Sequence, residues 1–326
     1  MQSNFYSIFF LPVFFLFHAG SGLSLGEENS RTYTKAIDEI RERYIRKELI
    51  PWKDYLGDGL DNESYQLLKD GLYQEAIWSF ADNKEQEKSI FVRAFLRNIM
   101  EQCSISKKDV SYLGMGGVTN PMLVQLPYDV GGVFKEKKKL HPSSNYKSEI
   151  AAYLLDELVG FNLVPMTIKK EILGKKGSIQ YFVKSTQAAL KFNDYRKSGN
   201  LMVFDYLIGN RDRTGNNVLV VKNREVGIDH GLALRRFHIL GKLLNFGDQL
   251  VKPFGFRTHP IRQQTVKPSD HLEEFKADRR ILESLESLSY QDLSEHLSPY
   301  LSKKILKKVY GRKVKLIDLL KKSSFF

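Results

Sequence analysis

Asp212 and Asn217 stand five positions apart in "GNRDRTGNNVLVV", and Asp229 follows an apolar run in "GIDHGLAL". Those residue types at those intervals suit phosphoryl transfer, which needs little covalent help from a protein but needs positioning and charge neutralisation at fixed points. An acceptor hydroxyl requires a carboxylate to orient it and take its proton, the part open to Asp212. An Asn five residues later and an Asp in an Asp-x-Gly turn one strand further on are oxygen donors suited to a divalent cation. Taken singly, each Asp reads rather as a turn or cap residue, and it is their ordered recurrence with the glycine turn, Lys135 and Glu149 that shifts the balance.

Two more parts of such a site stand earlier in the chain. Gly114, Gly116 and Gly117, in "LGMGGVTN", would let backbone amides come close to phosphate oxygens, since a Cβ would obstruct that approach. A plain hairpin turn uses the same residues. Lys135 ends the apolar strand pattern "GGVFKE" and Glu149 opens the next helical pattern, so an ammonium and a carboxylate to hold it are available. The competing reading of Lys135 is a solvated side chain at the head of the basic run Lys137, Lys138, Lys139.

The elements that must position these residues emerge from periodicity. From about Arg31 to Met100, apolar residues recur every three or four positions and predict helices whose stripes pack on the next lobe. From Ser104 the texture becomes strand, glycine turn, strand, turn, strand. The segment "SEIAAYLLDELVGFNLVP" predicts a helix with Ser148 as its cap and Gly160 near its end, and "GSIQYFV" a further short strand. "GNLMVFDYLIGN" predicts a buried helix, "NNVLVV" and "EVGIDHG" two short strands, and the stretch from Asp270 to Leu320 helices again.

Six phrases in one order, "LGMGGVTNPMLVQL", "GGVFKE", "SEIAAYLLDELVGFNLVP", "GSIQYFV", "DYLIGNRDRTGNNVLV" and "GIDHGLAL", resemble the phosphatidylinositol 3- and 4-kinase-like superfamily, type II phosphatidylinositol 4-kinases and bacterial relatives in particular. They are also similar to secretory-pathway kinases and, more distantly, to bacterial toxin kinases of the same divergent fold. The resemblance implies an α+β, two-lobed protein-kinase-like fold: a helical segment over residues 25–103, a small antiparallel-sheet lobe over 104–187 and a mainly helical lobe over 188–326. It makes Lys135 the nucleotide-phosphate lysine, Glu149 its ion-pair partner, Asp212 the catalytic Asp, and Asn217 and Asp229 metal ligands. It puts the adenine along "IQYFV", against the backbone of Tyr181, Phe182 and Val183. The implied cofactors are ATP and Mg²⁺, with Mn²⁺ as the alternative cation. Two departures stand out. The chain has Thr214 where lipid kinases often carry His after Asp-Arg, and His230 where protein kinases carry Phe.

Composition narrows the remaining choices. A net charge of +12, from 50 Lys and Arg against 38 Asp and Glu, implies an anionic partner, whether phosphates, an acidic protein, nucleic acid or a lipid surface, and charge does not choose among them. The resemblance implies a phosphoinositide or an acidic protein as acceptor, with peripheral membrane contact. The basic runs are read as solvated helix faces rather than nucleic-acid contacts. The single cysteine, Cys103, rules out an intramolecular disulfide and a cysteine zinc cluster. The G-x-x-x-x-G-K-[ST] phosphate loop and H-x-x-x-H are absent from the sequence. The apolar run from Phe5 to Phe17, followed by small residues, predicts a signal peptide over residues 1–24 and export, although no Lys or Arg precedes it. Between Arg235 and Ser269 seven basic residues face one acidic residue, Asp248, the composition of a docking segment for an anionic acceptor. A pseudokinase that binds nucleotide without transfer, and a kinase-fold enzyme catalysing another transfer such as nucleotidylation, are the competing functions.

Overall fold

The computed structural model describes residues 27–45, 50–57, 59–113, 121–137, 145–184, 199–210, 213, 217–222, 224–234 and 278–322. Helices come first: α1 (Glu27–Ile45), α2 (Trp52–Leu56), α3 (Asn62–Lys69), α4 (Tyr73–Asp82) and α5 (Gln86–Gln102). Their apolar stripes meet around Phe95, whose ring lies edge-on to Trp52, Tyr73 and Tyr128 at centroid distances of 5.2, 5.3 and 5.3 Å. Tyr128 belongs to the turn after β2, so the first helices and the sheet share one core.

The sheet consists of β1 (Val110–Tyr112), β2 (Met122–Gln125), β3 (Gly131–Glu136), β4 (Thr167–Ile172) and β5 (Lys175–Tyr181), all antiparallel, in the order β1-β2-β3-β5-β4. Strand β4 has no clear signal in the sequence. Its "TIKKEI" carries three charged residues in a row and reads as a connector, but Leu173 and Gly174, both at positive φ, form the two-residue turn that folds it back on β5. Alternation along β3 buries Phe134 and turns Lys135 to the opposite face, beside Ser178 of β5.

Helix α6 (Tyr146–Val159) crosses behind β4 and β5. Its cap is Asn145, whose Oδ1 accepts from the Lys147 amide at 3.2 Å. Ser148, expected as the cap, instead sits inside the first turn, and its hydroxyl accepts from Asn145 Nδ2 at 2.9 Å. The chain has already turned three residues earlier, and Asn serves this end as well as Ser. Gly160, at φ 79°, ends the helix in the left-handed conformation.

The remainder is α7 (Gly199–Ile208), the hairpin of β6 (Val218–Val221) and β7 (Arg224–Gly227), and α8 (Arg279–Ser287), α9 (Tyr290–Leu297) and α10 (Lys303–Lys322). Helix α7 is apolar nearly all round and lies against α10, where Arg312 Nε donates to the Leu207 carbonyl at 2.8 Å. Helices α8 and α9 close over α6. The architecture is therefore α+β and kinase-like: an antiparallel sheet with one crossing helix, followed by a mainly helical part. Among the described residues no helix is long and apolar enough to cross a membrane.

One position ties β5 closely to the strand that carries Lys135. A Cβ on Gly177 would lie 2.2 Å from the Lys135 carbonyl and 2.8 Å from the Phe134 ring, so β3 must move to admit it. Gly177→Ala should lower unfolding stability by about 1–3 kcal/mol, the usual cost of overpacking. The check is a fall in the denaturant midpoint without a change of slope.

Candidate active site

Lys135 lies between two carboxylates that the sequence holds far apart. Its Nζ is 2.6 Å from Glu149 Oε1 on α6 and 2.7 Å from Asp229 Oδ1, just past β7. One ammonium cannot neutralise both. Burial alone would lower the Lys135 ammonium, but the pair of carboxylates outweighs it and holds the group above its ordinary value. Burial pushes the Glu149 carboxyl up, its side chain being only 4% exposed. Asp229, 45% exposed, is pushed up by what burial it has and pulled further down by Lys135, so it ends below its ordinary value.

Glu149 has a second task. Its Oε2 accepts from the His230 backbone amide at 2.8 Å, so one carboxylate grips both the lysine and the Asp-His-Gly turn. Asp229 sits in that turn at φ 56°, a left-handed conformation that Asp tolerates better than most residues. The Ile228 amide donates to the Asn217 carbonyl at 3.0 Å, which makes Asn217 and Asp229 neighbours across the β6–β7 base.

Arg213 is a site residue that sequence reasoning misses. It is buried, as is the Asp205 carboxylate that it meets in a two-pronged ion pair, with Nε to Oδ2 at 2.9 Å and Nη2 to Oδ1 at 3.0 Å. Its Nη1 also donates to the carbonyls of Ile228, at 2.8 Å, and Asn217, while Nη2 donates to His230 Nε2 at 2.8 Å. The residue next to Asp212 is thus fastened to α7, to Asn217 and to the Asp229 turn. The signal that could have found it is Asp205 itself, a carboxylate in the apolar helix "NLMVFDYLIG" that needs a cation nearby. Gly227 makes the fit possible: a Cβ there would lie 3.0 Å from Arg213 Nη2 and 3.2 Å from His230 Nε2. Burial first, then the positive charges of Arg213 and Lys135, hold His230 well below its ordinary value and therefore neutral.

Of the residues singled out from sequence, the structure brings together Lys135, Glu149 and Asp229 directly and Asn217 beside them. Asp212, Gly114, Gly116 and Gly117, the Arg235–Ser269 segment and the expected signal peptide lie outside the described residues. Tyr181, Phe182 and Val183 run on from β5, where the Tyr181 amide donates to Met166 at 2.8 Å and the Phe182 amide to Gly131 at 2.9 Å. The Tyr181 hydroxyl points to the first helices, 3.2 Å from both the Gly71 carbonyl and Glu75 Oε2. Contact of this strand end with a base would therefore fall to its carbonyls and to Val183. Among the described residues no group of three His, Cys, Asp or Glu is placed to hold a metal ion. Asn217 and Asp229, neighbours along the backbone at the base of the hairpin, carry hard oxygen donors of the kind that fits Mg²⁺.

Arg213→Met should cost about 3–5 kcal/mol, because it leaves Asp205 buried without its cation. Asp205→Asn keeps the shape and should cost less, a difference that denaturant unfolding of the two variants will show. His230 contributes to the acid limb of stability. It stays neutral in the folded state while the unfolded chain takes up a proton below pH of about 6.5, so its own contribution falls as pH drops through that value by up to about 1.4 kcal/mol per unit, against the opposite contribution of Asp156 and Glu225, whose carboxyls burial pushes up to about 7. His230→Asn should remove that contribution, read as the difference in slope between parent and variant unfolding curves collected from neutral to acid pH.

No curated protein sequence matches the chain. It is similar to a solved structure, a proinflammatory kinase, CtkA, of Helicobacter pylori, at 15% identity and a TM-score of 0.41, over 68% of this chain and 95% of that one. The sequence profile of phosphatidylinositol 3- and 4-kinases matches residues 131–293, half of the 326 residues, a span that holds Lys135, Glu149, Asp205, Arg213, Asn217 and Asp229. The chain belongs to the phosphatidylinositol 3- and 4-kinase family, and its activity is of the phosphotransferase kind.

Proposed function

We propose that the chain transfers the γ-phosphoryl group of ATP to a hydroxyl group, with Mg²⁺ as the metal. The observation that carries this reading is the single lysine on β3 held by Glu149 of α6 and by Asp229 of the Asp-His-Gly turn, 94 residues further along the chain. A lysine needed only for stability has no use for two carboxylates and a turn gripped by one of them.

In this mechanism Lys135 holds nucleotide phosphate oxygens, and Glu149 keeps its ammonium charged and aimed. Asp229 and Asn217 hold the divalent cation, which when bound neutralises charge on the phosphates. Asp212 accepts the proton of the acceptor hydroxyl as its oxygen bonds to the γ-phosphorus and the bond to the ADP oxygen breaks. Arg213, which follows Asp212 in the chain, ties α7 to Asn217 and the Asp229 turn. Thr214 cannot act as the His of lipid-kinase loops does, so Asp212 works without that help.

The acceptor in this reading is anionic, a phosphoinositide headgroup or an acidic protein surface. Its support is the net charge of +12 and the basic Arg235–Ser269 stretch, which comes after the Asp229 turn. Export through the N-terminal apolar run is part of the same proposal and rests on sequence alone.

Asp229→Ala should abolish Mg²⁺-dependent ATP turnover while leaving the fold intact by circular dichroism. Turnover retained in that variant would sink the site assignment. Radiolabelled γ-phosphate offered in parallel to phosphatidylinositol vesicles and to a protein lysate separates the two acceptor classes. Nucleotide binding with no transfer or hydrolysis at all would make the chain a pseudokinase.

A further inference from the structure

The family match begins at residue 131, and helices α1 to α5 all precede it. They nevertheless place polar side chains on the matched part at two sites, the first partly buried and the second fully. On α5, Arg93 and Arg97 stand one turn apart and converge on Glu157 of α6, Nη1 of Arg93 at 3.2 Å from Oε1 and Nη2 of Arg97 at 2.9 Å from Oε2. Arg93 also donates to Asn162 Oδ1 at 3.2 Å, and the Arg97 guanidinium lies 5.9 Å from the Tyr153 ring centre. Burial alone would raise the Glu157 carboxyl, but the two guanidiniums outweigh it and hold it below its ordinary value. At the second site, Gln74 Oε1 of α4 accepts from the Met166 amide at 2.8 Å, next to the bonds that hold the Tyr181 hydroxyl.

Glu149, Tyr153 and Glu157 succeed one another at four-residue intervals, so the helix that carries the lysine's partner is gripped along the same side two turns further on. Apolar packing between helices tolerates small slides and rotations. A carboxylate held by two guanidiniums tolerates less, because a shift of an ångström breaks two charge-assisted contacts at once and leaves partly buried charge unpaired. Glu149 tolerates little displacement either, since its two oxygens meet Lys135 at 2.6 Å and the His230 amide at 2.8 Å.

We propose that Arg93 and Arg97 are positioning residues that hold α6 in register through Glu157, so that the helices before residue 131 act as a built-in clamp keeping Glu149 on Lys135. The activity arm of its test rests on the phosphotransfer reading; the structural arm does not.

The experiment uses the full chain and Glu157→Gln, at a temperature well below its melting point. Hydrogen exchange of the His230 amide is followed by NMR, since that proton reports whether Glu149 is in place. ATP binding and the kinetics with Mg²⁺ are measured alongside. The clamp predicts exchange at His230 faster by about tenfold and a KM for ATP higher by about tenfold, with a smaller change in kcat. The double variant Arg97→Glu with Glu157→Arg should recover part of both. If Glu157→Gln fails to fold, Arg97→Lys, which keeps the charge but loses the planar contact with Tyr153, is held to the same criteria. A folded variant whose His230 exchange and KM stay within about twofold of the parent overturns the proposal and leaves the first helices as scaffold. Should the parent neither bind nor turn over ATP, the phosphotransfer reading fails, and His230 exchange alone still decides the clamp.

Discussion

One ammonium shared by two carboxylates sets the terms for everything around it. Lys135 is on a strand, Glu149 on the next helix and Asp229 on a turn in the helical part of the chain, so the three meet only if the sheet, α6 and the β6–β7 hairpin are each placed to within a fraction of an ångström. Among the described residues the three charges sum to minus one, so this triad is not balanced by itself. The more exposed carboxylate, Asp229, retains negative charge facing outward, and a divalent cation is the partner that would complete it.

The frame behind this triad is a second buried ion pair. Arg213 meets Asp205 along two hydrogen bonds and still has donors for the Asn217 and Ile228 carbonyls and for His230. An apolar filler of the same volume could pack as densely, but it could not tie three backbone segments together at fixed angles. That the guanidinium is planar and carries five donors is what suits it to the position, and lysine would not replace it. His230 completes the frame by staying neutral, accepting from Arg213 rather than competing with it for the Asp205 charge.

The helices that precede the family match bear on the same point from the other side. Their aromatic core, centred on Phe95, runs into the sheet at Tyr128, and their arginines reach α6. A helix carrying the lysine's carboxylate partner on a small sheet has few neighbours to define its rotation. Here α5 supplies those neighbours on one side and α8 and α9 on the other. The helix that carries Glu149 is thus packed on both sides, by α5 and by α8 and α9.

How much of this is legible in the sequence differs between parts of the chain, for physical reasons. The helix periods from Arg31 to Met100, the glycine-rich strand pattern, the buried α7 and the order Lys135, Glu149, Asp212, Asn217, Asp229 are local facts, set by side-chain spacing and by the chemistry of each residue type. They are enough to name the α+β class and the family. Strand β4 is hidden because "TIKKEI" owes its place to pairing with β5 and to the turn at Leu173–Gly174, and the cap of α6 falls on Asn145 because the chain turns where tertiary packing bends it. Arg213 and the Arg93–Arg97–Glu157 cluster are invisible for a deeper reason. A charged residue reads as surface unless its partner is known, and these partners lie 8 residues away in one case and some 60 in the other. Sequence alone determined which groups were available for phosphoryl transfer, since that depends on composition and order. Only the tertiary structure decided which charges are buried against which, because burial is a property of the packed chain and not of any segment in it.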